Sequence, residues 1–249
     1  YFLHHLVAQR TLGAGSFAAY AREMEYALGA AAAPRLRAIR GGGAPNPLTE
    51  VALNERVLDN SLGLIVHSQT AAGWVRAARP AARVAVIPHL VAPRPVRSRR
   101  AELGLPPEAL LIAVVGQVTA AKQMPLALRA FRRLLDFAPQ ARLLLVGEVL
   151  PEVDLEATLS ALGLGERVIR LAYVESFAAF NDWAATADGV LNLRYPTLGE
   201  TSGAALRVMA AGRPLVVFDH GWYAELPDDA AGKVPPLDED ALLAALRAL

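Results

Sequence analysis

The sequence predicts an α/β fold built on parallel sheet, and three features carry that prediction. Apolar runs of strand length recur between residues 110 and 218, helix-length segments separate them, and the runs lack the polar alternation of a half-exposed strand. Strands buried on both faces belong to parallel sheets, whose neighbours are joined by helical crossovers of right-handed sense.

Five runs are strand candidates: Leu110-Leu-Ile-Ala-Val-Val115, Arg142-Leu-Leu-Leu-Val146, Val168-Ile-Arg-Leu-Ala172, Gly189-Val-Leu-Asn-Leu193 and Pro214-Leu-Val-Val-Phe218. Helices are expected between them, at residues 123–137, 152–163, 176–187 and 202–211. Upstream, Ser16 is placed to cap a helix in which Phe17, Tyr20, Ala21, Met24 and Leu28 share one face. The stretch 41–47, with three glycines and two prolines, breaks regular structure. A helix from Leu48 to Asn60 is expected next, then short buried strands at Leu62–Val66 and Val84–Ile87. These two strands cannot close a sheet of their own. The division between halves is expected in the Pro- and Arg-rich stretch from Val91 to Pro107, and both chain ends read as cut, the last of them inside a helical pattern.

Composition bounds the function. At 249 residues and 54% hydrophobic the chain can bury one large or two ordinary cores. Cysteine is absent, which excludes disulfides and thiolate metal sites. No apolar run approaches the ~20 residues of a membrane span. A net charge of +1 gives no electrostatic reason to expect nucleic acid. The basic run Arg94-Pro-Val-Arg-Ser-Arg-Arg100 reads as a solvated linker, with a phosphate or membrane-surface role as the alternative.

In parallel α/β sheets ligands bind at the carboxyl ends of strands. After Val115 come Gly116, Gln117 and, before a helix, Lys122; glycine lets backbone approach a ligand, and lysine adds a point charge suited to an anion such as a diphosphate. After the strand at 189–193, Gly199-Glu-Thr-Ser-Gly203 opens a helix that Thr201 or Ser202 can cap, leaving N–H groups free to face an anion. Tyr173 and Val174 could flank a nucleobase. Other strand-end groups are Gly147-Glu148 and the segment from Asp219 through His220 to Glu225. His4-His5 and His67-Ser68 invite mechanistic readings, but adjacent histidines on a helix do not share a face and make a poor metal site. No P-loop, Gly-x-Ser-x-Gly elbow or Gly-x-Gly-x-x-Gly is present.

The combination Ile65-Val-His-Ser68, Val86-Ile-Pro-His89, Val115-Gly-Gln-Val-Thr-Ala-Ala-Lys122, Leu144-Leu-Val-Gly147 and Gly199-Glu-Thr-Ser-Gly203 with Met209-Ala-Ala-Gly-Arg-Pro214 resembles bacterial retaining glycosyltransferases of the family 4 group. The resemblance implies two Rossmann-like domains of GT-B type. Residues 1–92 would form an incomplete, acceptor-side N-terminal domain, 93–107 a linker, and 108–249 the nucleotide-sugar-binding domain. It further implies a UDP- or GDP-sugar donor, transfer with retention, no metal or other cofactor, and a saccharide or lipid-linked acceptor. A cytoplasmic location follows, with peripheral contact to the inner membrane face left open.

By the same resemblance Lys122 and Glu200 are the catalytic candidates, and Gly116, Gln117, Lys122, Tyr173, Val174, Thr201, Ser202, Gly203 and Arg207 the donor-binding ones. Lys122 matches one member of the family's basic pair, while Gln117 stands where its arginine partner is usual. The family's paired glutamates fall on Gly199 and Arg207, with Glu200 one residue off. Arg207 has two readings: beside the ribose or diphosphate, or solvated or paired with a carboxylate. The competing functions are a nucleotide-sugar epimerase, a phosphorylase-like enzyme or a non-catalytic binding protein of the same fold.

Overall fold

The computed structural model describes residues 3–42, 50–172, 174 and 176–249, which divide into two compact units. The first comprises residues up to Pro88 together with Leu198–Glu200; the second comprises His89–Thr197 and Thr201–Leu249.

The first unit begins with three helices, α1 (His4–Thr11), α2 (Phe17–Leu28) and α3 (Ala32–Arg40). Ser16 caps α2 as expected, its Oγ accepting from Ala19 N at 3.3 Å. Tyr20 and Met24 face inward from α2 and meet Ala32, Leu36, Val51 and Leu53 in a small core. His4 is buried in the same place: Nδ1 lies 2.9 Å from Val51 O and Nε2 2.6 Å from Tyr20 Oη. That pattern fits the neutral tautomer that donates to the carbonyl and accepts from the phenol. The expected helix from Leu48 to Asn60 shrinks to α4 (Glu55–Asp59), with residues 48 and 49 outside the described residues. Two features stop it short. Leu53 takes φ +50°, and Val51 and Leu53 spend their side chains in the helical core instead of on a helix face. Then β1 (Leu64–Val66), α5 (Gln69–Ala78) and β2 (Val84–Val86) follow, the strands paired in parallel through Ile65 opposite Ala85. Ser68 caps α5, accepting from Ala71 N at 3.0 Å, and His67 Nδ1 bonds Ile87 O at 2.7 Å.

The second unit is the predicted α/β alternation: β3 (Leu111–Val115), α6 (Met124–Leu134), β4 (Arg142–Val146), α7 (Leu155–Leu162), β5 (Val168–Leu171), α8 (Phe177–Thr186), β6 (Gly189–Leu191), α9 (Gly203–Ala210), β7 (Leu215–Phe218), β8 (Gly232–Val234) and α10 (Glu239–Arg247). Among the described residues the strands form one parallel sheet in the order β5-β4-β3-β6-β7-β8. Side chains alternate across it. Ile112 and Val114 of β3 join Leu143 and Leu145 of β4 beneath α6, α7 and α10, whereas Leu111, Ala113 and Val115 point with Leu144 and Val146 toward α8 and α9. Leu128 and Phe131 of α6 have no exposed surface, and each such side chain contributes roughly 1.5–3 kcal/mol of burial free energy. Element ends move by one to three residues from expectation, and β8 is an edge strand the sequence did not announce. No helix among the described residues is long and apolar enough to cross a membrane.

The basic run departs in its second half from the solvated linker expected of it, while Arg94 and the Arg97 side chain stay exposed. Arg97 N donates to Asp182 Oδ1 at 3.0 Å and Arg99 N to Thr186 Oγ1 at 2.8 Å. The Arg99 guanidinium covers the Trp183 ring at 4.5 Å, and Arg100 Nη1 bonds Asp188 Oδ2 at 3.1 Å. Asp188 Oδ2 also accepts from Leu111 N at 2.7 Å, so one carboxylate holds both the run and the first residue of β3. The run lies along α8 because α8 offers it the aromatic face of Trp183, the hydroxyl of Thr186 and the carboxylate of Asp182.

Candidate functional site

The order of the sheet locates a crevice. From β3 the chain runs outward through β4 and β5, then crosses to β6 on the other side of β3. At such a switch point the connections leaving the two central strands part, and a space opens beyond their carboxyl ends.

Gly116 leaves β3 with φ +87°, a conformation in which an L side chain would be strained. Its N–H still bonds Val146 O at 2.8 Å. Gly147, at the end of β4, has φ +141°, and a Cβ there would stand 2.6 Å from Gly116 O. The two loops touch through their glycines and run on together, with Val118 N on Glu148 O at 2.8 Å and Leu150 N on Val118 O at 3.0 Å. Gln117 faces outward, its Nε2 3.4 Å from Glu148 Oε2. A tight turn over Ala120–Lys122 then brings Lys122 back under Gly116, close enough that a Cβ on Gly116 would lie 4.0 Å from Nζ and 3.9 Å from Ala204 Cβ in the first turn of α9. The β3 loop and the start of α9 therefore share one space.

Lys122 turns inward and is only 4% exposed. Its Nζ donates to Val115 O at 3.0 Å and to Asn192 Oδ1 at 3.2 Å. Desolvation, and secondarily the nearby Arg194 charge, hold its pKa down to about 7. Asn192 has no exposed surface. Its Oδ1 also accepts from Tyr223 Oη at 3.0 Å, and its Nδ2 donates to Ser202 Oγ at 3.1 Å. Of the two candidate caps, Ser202 takes the position, accepting from Ala205 N at 3.2 Å. A polar thread thus runs across the switch point from β3 through Lys122, Asn192 and Ser202 into α9.

The other sequence candidates lie around this thread. Gly203 is the first residue of α9, and Thr201 precedes it, half-buried. Val174 packs against the core beneath α8 and α9; Tyr173 lies outside the described residues. One oxygen of the Glu200 carboxylate turns back on its own loop to accept from Leu198 N at 2.7 Å. The Arg207 guanidinium sits 4.2 Å over the ring of Phe177, the first residue of α8, a partner that neither reading of Arg207 had included. His220 packs its ring against Tyr195 at 5.1 Å. Sequence reasoning missed Asn192 and reached Tyr223 only as a member of the segment 219–225, without singling it out. A signal for Asn192 was present, since a carboxamide at the end of a doubly buried apolar strand must find partners.

This strand-loop-helix crevice defines the class. The sequence profile of the family described as "Glycosyl transferases group 1" matches residues 109–249, more than half of the chain, and the chain belongs to that family. No curated protein sequence matches it. Solved structures share its fold. A sucrose-phosphate synthase from Thermosynechococcus elongatus is 22% identical, with a TM-score of 0.66 over 83% of this chain and 53% of its own. WaaG, a glycosyltransferase involved in lipopolysaccharide biosynthesis, is 20% identical, with a TM-score of 0.63 over 74% and 52%. HepE of Anabaena, in complex with UDP and glucose, is 17% identical, with a TM-score of 0.66 over 81% and 55%. The chain spans about half the length of these proteins. Together they match the GT-B glycosyltransferase fold.

Proposed function

We propose that this chain is the donor-binding portion of a glycosyltransferase of the family 4 group, and that it holds a UDP- or GDP-sugar by its diphosphate in the crevice beyond β3 and β6. The observation that carries this reading is the meeting of Gly116, Lys122 and the Ser202-capped start of α9 across the switch point of the sheet. Gly116 leaves backbone open to an anion, the amino end of α9 points unpaired N–H groups at it, and Lys122 supplies charge once protonated. Departure of the sugar leaves negative charge on the diphosphate, and fixed positive groups stabilise that charge more in the transition state than before it. Transfer is with retention of configuration and independent of metal, the lysine and the helix end taking the part a cation would play. UDP is the first donor nucleotide to test, because the HepE complex contains it.

In this reading residues 108–249 are the nucleotide-sugar domain and residues 1–92 belong to the acceptor side, joined by 93–107. The acceptor is a saccharide or a lipid-linked saccharide, and the reaction takes place in the cytoplasm. Glu200 is assigned to the hydroxyls of the donor sugar. Calorimetry of the 249-residue chain with UDP, GDP and ADP tests the central claim. Binding of one of them in the micromolar to millimolar range is expected, and no binding by any at millimolar concentration overturns it.

A further inference from the structure

We propose that Asn192 is the positioning residue of the diphosphate cradle, its buried carboxamide setting Lys122 and the cap of α9 in register so that an anion meets both together. The proposal rests on the reading of the crevice given above.

Three observations lead to it. The Asn192 backbone is pinned within the sheet, its N–H bonding Val216 O at 3.0 Å, so its side chain starts from a fixed point. The carboxamide then divides its two ends between the two halves of the site. Oδ1 takes Lys122 Nζ at 3.2 Å from the β3 side, and Nδ2 gives to Ser202 Oγ at 3.1 Å on the α9 side. Tyr223 Oη, 3.0 Å from Oδ1 in the turn after β7, keeps the amide from rotating. In its ammonium form lysine has donors only, so the protonated Lys122 fixes which end of the amide faces it, and the serine then receives the N–H end. An aspartate at this position could accept from Lys122 and Tyr223 but could not donate to Ser202; a leucine could do neither.

This arrangement has a consequence beyond packing. The same burial that lets Asn192 grip Lys122 holds the lysine near neutrality, with Arg194 and Tyr223 the titratable groups facing it from neighbouring segments. A diphosphate arriving beside Nζ favours the ammonium, so binding above pH 7 draws a proton from solution.

Calorimetry at pH 8 on the full chain, with UDP and uridine in two buffers of different ionisation heat, tests the proposal; GDP and guanosine replace them if the chain prefers guanine. Wild type is expected to bind UDP with proton uptake and uridine with none. Asn192→Leu should weaken UDP about tenfold or more and leave uridine within about twofold. Asn192→Asp places a carboxylate beside Lys122, keeps it protonated, and should abolish the proton uptake. If Asn192→Leu does not fold, Tyr223→Phe carries the comparison: it removes one donor to Oδ1 at nearly constant volume and should weaken UDP about threefold with uridine unchanged. Folded variants that match wild type, that lose UDP and uridine alike, or in which Asn192→Asp retains the uptake, overturn the positioning role while leaving the site itself standing. Wild type that binds no nucleoside diphosphate removes the site and the role together.

Discussion

His4 and Asn192 look alike by the measures of burial and bonding, and they differ in what their partners are. Each is a polar side chain without exposed surface, and each has both ends engaged. His4 joins Val51 and Tyr20, a loop carbonyl and a core phenol within the first unit. Asn192 joins the lysine after one central strand to the helix cap after the other. A buried polar residue thus gives no functional signal of its own. The signal lies in whether its partners are themselves exposed to a ligand's path.

Four experiments press on this difference. The largest effect is expected from His4→Leu, which strands two buried groups, Val51 O and Tyr20 Oη. Stability by denaturant unfolding should fall by about 3 kcal/mol with UDP affinity unchanged. Lys122→Met should do the reverse where it matters, costing about 2 kcal/mol of UDP binding, or a 30-fold rise in Kd by calorimetry. A fall in affinity for the histidine variant, or none for the lysine variant, would erase the contrast.

The third is a pH dependence. Folding lowers the pKa of Lys122 from its ordinary 10.5 to about 7, so between those values the unfolded chain binds the extra proton and the native chain does not. Wild-type stability relative to Lys122→Met should therefore rise with pH across that window, by at most about 1.4 kcal/mol per pH unit, and be flat below it. Parallel curves for the two proteins would mean that the lysine is not desolvated. The smallest effect compares two helix caps. Ser16→Ala and Ser202→Ala should each cost about 1 kcal/mol of stability, and Ser202→Ala should also weaken UDP. Equal nucleotide affinities in both would detach α9 from the ligand.

What could be read from the sequence follows from how local the forces are. The strands at 111–115 and 142–146 are legible because runs of five and four consecutive apolar residues in a parallel sheet need no other information. The loops after β3 and before α9 were legible as anion-ready because glycine, lysine and a serine cap act within a few residues of one another. The thread between them was not, since Asn192 meets Lys122 across 70 residues of chain and Tyr223 across 31. Strand β8, at three residues and on the edge, carries too little periodicity to be seen. The helix at 48–60 was misread because the core that claims Val51 and Leu53, an i, i+2 pair that no single helix face presents, is built from Tyr20, Met24 and Leu36, far from them in sequence. The end of the run at 94–100 was misread because the charges of Arg99 and Arg100 look solvated until Trp183 and Asp188, far along the chain, are placed beside them.

The shared carboxylate of Asp188 bears on how the second unit can be made separately. It grips Leu111 at the head of β3 and Arg100 upstream, at the amino end of the strands and so at the opposite pole from the crevice. A shortened polypeptide beginning at Ala101 would keep every strand and every ligand-facing loop, yet leave that carboxylate one cation poorer and Trp183 without its guanidinium cover. One beginning at His89 would retain both. The domain edge visible to a ligand and the edge visible to a folding chain are about ten residues apart, and the basic run belongs to the second.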